Sequence, residues 1–251
     1  MTRALAQQDF EASFAQTDAD LRAAQRLRYE VFVKELGAAG QGVDHDARLE
    51  TDHFDAFADH LLLRNNRDGE VVGVYRLLNS EQARKAGGFY CESEFDLTRL
   101  KASGKSLLEL GRSCLRADVR GSGAMFVLWN ALSEFVERTS AEVIFGVASI
   151  SGTNIDTLKP ALSVLHAHHL ASEDIRPVSR AYQDMNLVPK DQLDRKAAVL
   201  SLPALLKGYL RLGGLVGDGA FVDHAFKCTD VCMMLDTKTL NARHARLYTG
   251  A

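Results

Sequence analysis

Apolar positions recur at helical spacing early in the chain. In TDADLRAAQRLRYEVFVKEL, residues Leu21, Ala24, Leu27, Val31 and Phe32 approximate one stripe, and Thr17 or Asp18 is placed to cap it. The residues before it, to about Thr17, have weak periodicity and read as an extension or an edge strand. After it, GAAGQGVDHDARLETDHFDAFA is polar, acidic and rich in glycine, a loop long enough to suggest function. HLLLRNNRDGEVVGVYRLLN then predicts a hairpin, because two apolar runs flank NNRDG, whose residues tolerate positive φ. FYCESEFDLTRLKASGK holds a short helix closed by Gly104.

SLLELGRSCLRA reads as a strand, and GAMFVLWNALSEFVERTS as a helix with Phe126, Trp129, Leu132, Phe135 and Val136 turned inward. AEVIFGVASI is apolar enough for a central strand. NIDTLKPALSVLHAHHL follows as a helix with a kink expected at Pro160. The last third differs: LPALLKGYLRLGGLVGDGAFVDHAF is apolar, basic and glycine-rich, and DVCMMLDT predicts a final short strand. Strands and helices alternate only in the second half, so the expected class is α/β (α+β) with a mixed central sheet flanked by helices. A single domain is expected, with a core over residues 18–175 and a C-terminal elaboration from about 176 to 251.

Composition changes this picture little. Over 251 residues, 46% are hydrophobic and 25% charged, as in ordinary soluble globular chains. A net charge of −3 argues against a nucleic-acid binder. Cys91, Cys114, Cys228 and Cys232 form no C-x-x-C knuckle, and MTRALAQQDFEASFAQ has no signal-peptide core, so a cytoplasmic compartment is expected. No apolar run is long enough to span a bilayer, which leaves a peripheral contact with the inner membrane open. The histidines of HAHHL suggest no further metal ligand, and no metal is expected. Cys114 sits in an apolar strand with no placed His partner, and a buried structural thiol is the default.

The chemistry concentrates in ELGRSCLRADVRGSGAMFVLW. A strand, then Arg120, Gly121 and Gly123, then an amphipathic helix suits an anion, because glycines admit close approach of backbone N–H groups to a ligand. A tight strand-to-helix turn accounts for the same glycines equally well. The pattern is neither a Walker loop, lacking Lys-Ser or Lys-Thr, nor a full dinucleotide fingerprint.

That motif resembles the acyl-donor loop of the GNAT N-acyltransferase superfamily, with Met125 at a position usually small. The departure suits a donor that brings only phosphopantetheine, such as acyl carrier protein. The resemblance implies a GNAT-like fold with a bulge at Gly111 that turns Glu109 and Arg112 to one side. Aminolysis of a thioester needs a neutral amine, and Glu109 is the candidate to accept its proton. A structural Glu109–Arg112 ion pair is the alternative, and both can hold. LRYEVFVKEL, DHFD, VVGVYRLL and ELGR are similar in order to acyl-homoserine-lactone synthases. That order implies a network of Arg28, Phe32, Asp52, Asp55, Arg76 and Arg112 around the substrate, against the alternative of solvated surface charges. From about Leu27 to Leu235, including LPALLKGYLRLGG and DHAFKCTDVCMML, the chain resembles the ornithine-lipid N-acyltransferases.

This last resemblance implies transfer of a 3-hydroxy fatty acyl group from acyl carrier protein to the α-amine of ornithine, giving lyso-ornithine lipid, with no cofactor beyond the thioester co-substrate. Arg120, Gly121 and Gly123 would cradle the phosphopantetheine phosphate. Asn154 would reach its amides, although a simple helix cap is the stronger reading of Asn154. Arg116, Arg120, Lys207 and Arg211 are candidates to receive the acidic carrier protein. The rivals are a homoserine-lactone synthase, which would also need S-adenosylmethionine, a relative acylating another amino acid, and a non-catalytic carrier-protein or lipid-binding module.

Overall fold

The computed structural model describes residues 9–40 and 42–238. The first half of the N-terminal extension and the end of the C-terminal elaboration, residues 1–8 and 239–251, lie outside them. The strands and helices are β1 (Phe10–Phe14), α1 (Asp18–Arg28), β2 (Val43–Asp44), β3 (Leu49–Glu50), β4 (Asp59–Asn65), β5 (Val71–Asn79), α2 (Ser80–Ala86), β6 (Phe95–Asp96), α3 (Thr98–Ala102) and β7 (Leu107–Leu115). Then come α4 (Ala124–Thr139), β8 (Val143–Ser151), α5 (Ile155–His169), β9 (Val178–Ser179), α6 (Arg195–Ser201), α7 (Ala204–Arg211), β10 (Leu215–Val216), β11 (Phe221–Asp223) and β12 (Cys228–Asp236). The chain forms two compact units, one of residues 1–88 and 110–140, the other of 89–109 and 141–251. The chain crosses between them within β7.

In the first unit, β1, β4, β5 and the later part of β7 lie in that order. The hairpin β4–β5 is antiparallel, and β1 pairs antiparallel with β4, as an edge strand should. Thr17 closes a capping box with Asp20 at the start of α1. The expected single helix is α1 followed by a π-helical segment, Tyr29–Glu35. Ala24, Leu27 and Val31 form a buried cluster with Leu62, Val74 and Cys114, and Phe32 packs on its edge. The inward stripe of α4 is rotated from expectation: Val127, Leu128, Leu132, Phe135 and Val136 are buried, while Phe126 and Trp129 are half-buried. Trp129 Nε1 instead reaches the Tyr75 hydroxyl at 3.2 Å, which keeps the indole at the edge of the core. A β-carbon on Gly73 of β5 would stand 2.6 Å from Leu115 Cδ2 and 3.1 Å from Leu63 Cβ, so glycine is what lets these layers close.

In the second unit the sheet is mixed. The start of β7 pairs parallel with β8, Glu109 standing opposite Phe145, and β8 pairs antiparallel with β12 along its whole length. β8 is central, as its apolar run required. The final strand is longer than DVCMMLDT suggested, and Cys228 through Leu235 are all buried. β10 and β11 pair with β12. Pro160 is accommodated inside α5. The helix α2 has no counterpart among the elements expected from the sequence, although Asn79 and Gln82 form a capping box and Gly87 closes it at φ +88°.

Candidate active site

In the first unit the long acidic loop returns its carboxylates to buried arginines. Arg28, at the last turn of α1, has no exposed surface. Its Nε donates to Glu50 Oε2 at 2.5 Å and its Nη1 to Asp55 Oδ1 at 2.7 Å. Arg112 on β7 donates to Glu50 Oε1 at 3.2 Å and to Asp52 Oδ2 at 2.9 Å. Arg76 on β5 donates to Asp52 and, at 3.0 Å, to Asp55. The six groups therefore form a closed ring of alternating sign: Arg28, Glu50, Arg112, Asp52, Arg76, Asp55 and back. A 3-10 turn, His53–Ala56, sets Asp52 and Asp55 in reciprocal capping positions, and Gln25 Nε2 adds a 3.0 Å bond to Asp55.

Burial alone would raise the carboxyl of Asp55, but the charges and hydrogen bonds of Arg28 and Arg76 outweigh it and hold the group far below the usual carboxylate range. Asp52 is lowered in the same way, against burial, by Arg76 and Arg112. Burial would lower the Arg28 guanidinium, and Glu50 and Asp55 keep it charged. The ring thus unites the expected Arg28, Asp52, Asp55, Arg76 and Arg112, and Asp55 at 6% exposure is no solvated surface charge. Phe32 belongs to the adjoining apolar cluster and not to the ring. Glu50 was missed. Its only sequence signal is that it shares the acidic loop with Asp52 and Asp55.

Beside Gly111, where a bulge is expected from the resemblance, Arg112 adopts φ +50°, the left-handed region, within β7. From there its side chain reaches Glu50 and Asp52. Glu109 belongs to the second unit and is 3% exposed. Its Oε2 accepts from Tyr90 N at 3.0 Å and its Oε1 from Cys91 N at 2.7 Å. Two backbone donors, one on each oxygen, fix the plane of the carboxylate.

At the glycine turn of the first unit, Gly121 and Gly123 have φ of +79° and +94°. Gly123 is the N-cap of α4, which has neither a side-chain cap nor an acidic residue in its first turn. Arg120 forks onto Glu35 at 2.5 and 2.7 Å and also donates to Leu115 O. Any phosphate at this turn competes with Glu35 for that fork. Arg116 is engaged by Asp118 and Glu70. In the second unit, the exposed Asn154 caps α5, its Oδ1 accepting from Asp156 N at 3.1 Å.

All four thiols are buried. Burial pushes Cys114 up to about 12. Burial, then the Cys232 thiol 3.6 Å away, pushes Cys91 well up. Burial and Asp230 push Cys228 up as well. Among the described residues, Asp223, Cys228 and Asp230 have ligand atoms within 4.8 Å of one another, whereas the HAHHL histidines form no such group. Asp223 is committed to capping Ala225 N and Phe226 N, and Cys228 faces Asp230 at 3.3 Å. Among the described residues no helix is long and apolar enough to cross a membrane.

Residues 27–130 match a family model described as an acetyltransferase (GNAT) domain. A curated relative from Rhodobacter capsulatus, named L-ornithine N(alpha)-acyltransferase, is 51% identical over 96% of this chain and 95% of its own. One of the same name from Brucella abortus is 39% identical over 95% of this chain and 88% of its own. Among solved structures, an N-acyl amino acid synthase from uncultured soil microbes superposes with a TM-score of 0.53 at 14% identity, covering 93% of this chain and 94% of its own. A CoA-dependent acyl-homoserine lactone synthase superposes with a TM-score of 0.51 at 15% identity, covering 95% of this chain and 88% of its own. These two likenesses concern the fold.

Proposed function

The chain belongs to the L-ornithine Nα-acyltransferase family, and from that premise we propose that it transfers a 3-hydroxy fatty acyl group from acyl carrier protein to the α-amine of ornithine, releasing lyso-ornithine lipid. The observation that carries this reading is the 51% identity, over 96% of the chain, to a relative named for ornithine acylation. The mixed sheet and the held carboxylate of Glu109 support the chemistry.

The amine attacks the thioester carbonyl, a C–N bond forms, and collapse of the tetrahedral adduct breaks the C–S bond. The nitrogen must shed a proton, which Glu109 accepts directly or through water, and the departing sulfur takes one up. The two backbone donors that orient Glu109 lower the reorganisation this transfer requires. The charged ring of the first unit orients the acceptor: Arg112 is its most accessible guanidinium, its side chain 11% exposed against 3% or less for Arg76 and Arg28. The uncapped start of α4, with Gly121, Gly123 and Arg120, receives the phosphopantetheine phosphate, and Asn154 lies in the second unit as a candidate for its amides. The carrier protein is acidic and meets Arg116 and Arg120. The enzyme works in the cytoplasm and needs no cofactor.

The test is mass spectrometry of products from purified protein given 3-hydroxyacyl-acyl carrier protein, mixed amino acids and S-adenosylmethionine. N-acyl ornithine is expected. A lactone would overturn the reading in favour of a homoserine-lactone synthase, another acyl-amino acid would change the acceptor, and intact donor with folded protein would point to a binding module.

A further inference from the structure

The helices α6 and α7 of the second unit meet at Leu202–Pro203 and divide their residues cleanly by face. Ala198, Leu202, Leu206 and Tyr209 are buried. Gly208 lies on that same buried side, so its lack of a side chain leaves the outer face of α7 intact. The outer face is unlike a solvated one. Leu200 is 64% exposed, the most exposed large apolar side chain among the described residues. Lys196 stands one helical turn before it, and Lys207 Nζ donates to Leu200 O at 3.2 Å, joining the outer faces of the two helices. Arg211, one turn beyond Lys207, is exposed as well.

The positive charge continues beyond these helices. His168, at the end of α5, is lowered first by desolvation and then by the nearby charges of Arg195 and Lys190. Against these stand Asp191 and Asp194, and Asp194 is occupied in capping α6 through Ala197 N at 3.0 Å. A basic face is thus concentrated on a chain whose net charge is −3.

We infer, relying on the lipid product proposed above only for the proximity of a bilayer, that this α6–α7 face docks on an anionic phospholipid surface. Leu200 enters the boundary between headgroups and acyl chains. The long stems of Lys196, Lys207 and Arg211 lie along it, with their heads among the lipid phosphates. An acidic protein would satisfy the charges equally well. It gives no reason for a leucine at the most exposed point of the face, and that residue favours the bilayer.

The experiment is co-sedimentation of the full chain with vesicles of phosphatidylcholine alone, or with about one third phosphatidylglycerol, at low and high salt, with no substrate present. Wild type is expected to partition preferentially onto the anionic vesicles, and salt should reduce that binding. Lys196→Glu changes the charge by two and should lower the partition coefficient about 25-fold, since each surface charge is worth about a factor of five near an anionic leaflet. Leu200→Asn should lower it at both salt concentrations. Both variants should keep wild-type turnover with carrier-bound donor in the absence of vesicles. Equal binding of wild type to both vesicle types, or unchanged binding by both variants, overturns the inference. So does a loss of carrier-protein affinity in the variants with vesicle binding intact. Vesicle binding without ornithine acylation would leave the docking face standing and remove the proposed function.

Discussion

At the scale of single residues, two buried carboxylates do different work. Glu109 accepts from two backbone N–H groups, and its proposed role as proton acceptor predicts that Glu109→Gln reduces kcat by about 10²–10⁴-fold with the circular dichroism spectrum unchanged. Turnover within a few-fold of wild type would remove Glu109 as base. Asp55 is an ion-ring member, and its effect is on stability. Removing one partner from a buried pair leaves an uncompensated charge, so Arg28→Met should cost about 3–5 kcal/mol in urea unfolding. The carboxyl of Asp55 is lowered in the folded state, so its stabilisation is complete above the unfolded value of about 4 and is lost as pH falls toward the folded one. Wild-type Tm should drop below about pH 4, and Asp55→Asn, less stable at pH 7, should show a shallower drop.

At the scale of elements, the turn Arg120–Gly123 couples a strand to a helix through left-handed backbone. Nothing lies within 4 Å of a β-carbon on Gly121, so Gly121→Ala suffers only the strain of φ +79°. It should lose about 1–2 kcal/mol, read as a lower Tm. A neutral substitution would show that the turn relaxes. Periodicity made α1, the β4–β5 hairpin, β7, α4, β8 and α5 legible, because each buries one face or both. Where it failed, local hydrogen bonding had decided the matter. The π-helical segment after Arg28 keeps an apolar spacing close to that of an α-helix, and such segments often mark functional sites. Helix α2 carries almost no apolar face and is announced by its caps. The stripe of α4 shifted because Trp129 satisfies its N–H at the core's edge. The ring was legible as a set of charged residues in order, but Glu50 was not, since pairing across the fold leaves no trace in local spacing.

At the scale of the whole molecule, charge is sorted more than it is abundant. The ring neutralises itself in the first unit, whereas in the second α6 and α7 carry Arg195, Lys196, Lys207 and Arg211 and no acidic residue. The cluster of Asp223, Cys228 and Asp230 is occupied by its own hydrogen bonds, with the thiol of Cys228 protonated. Overnight chelation with EDTA should therefore leave both turnover and Tm unchanged, and a loss restored by added zinc would assign that cluster a metal. The ring also has a bearing on how the protein is made. Its members enter the growing chain from Arg28 to Arg112, so a nascent polypeptide carries Glu50 and Asp52 for some sixty residues of synthesis before their shared partner exists. Until β7 leaves the ribosome the ring is open, with three carboxylates facing the two guanidinium groups of Arg28 and Arg76. Completion of the first unit is thereby tied to translation of the strand that also carries Glu109, so the chain cannot finish its charged scaffold before that carboxylate has been made.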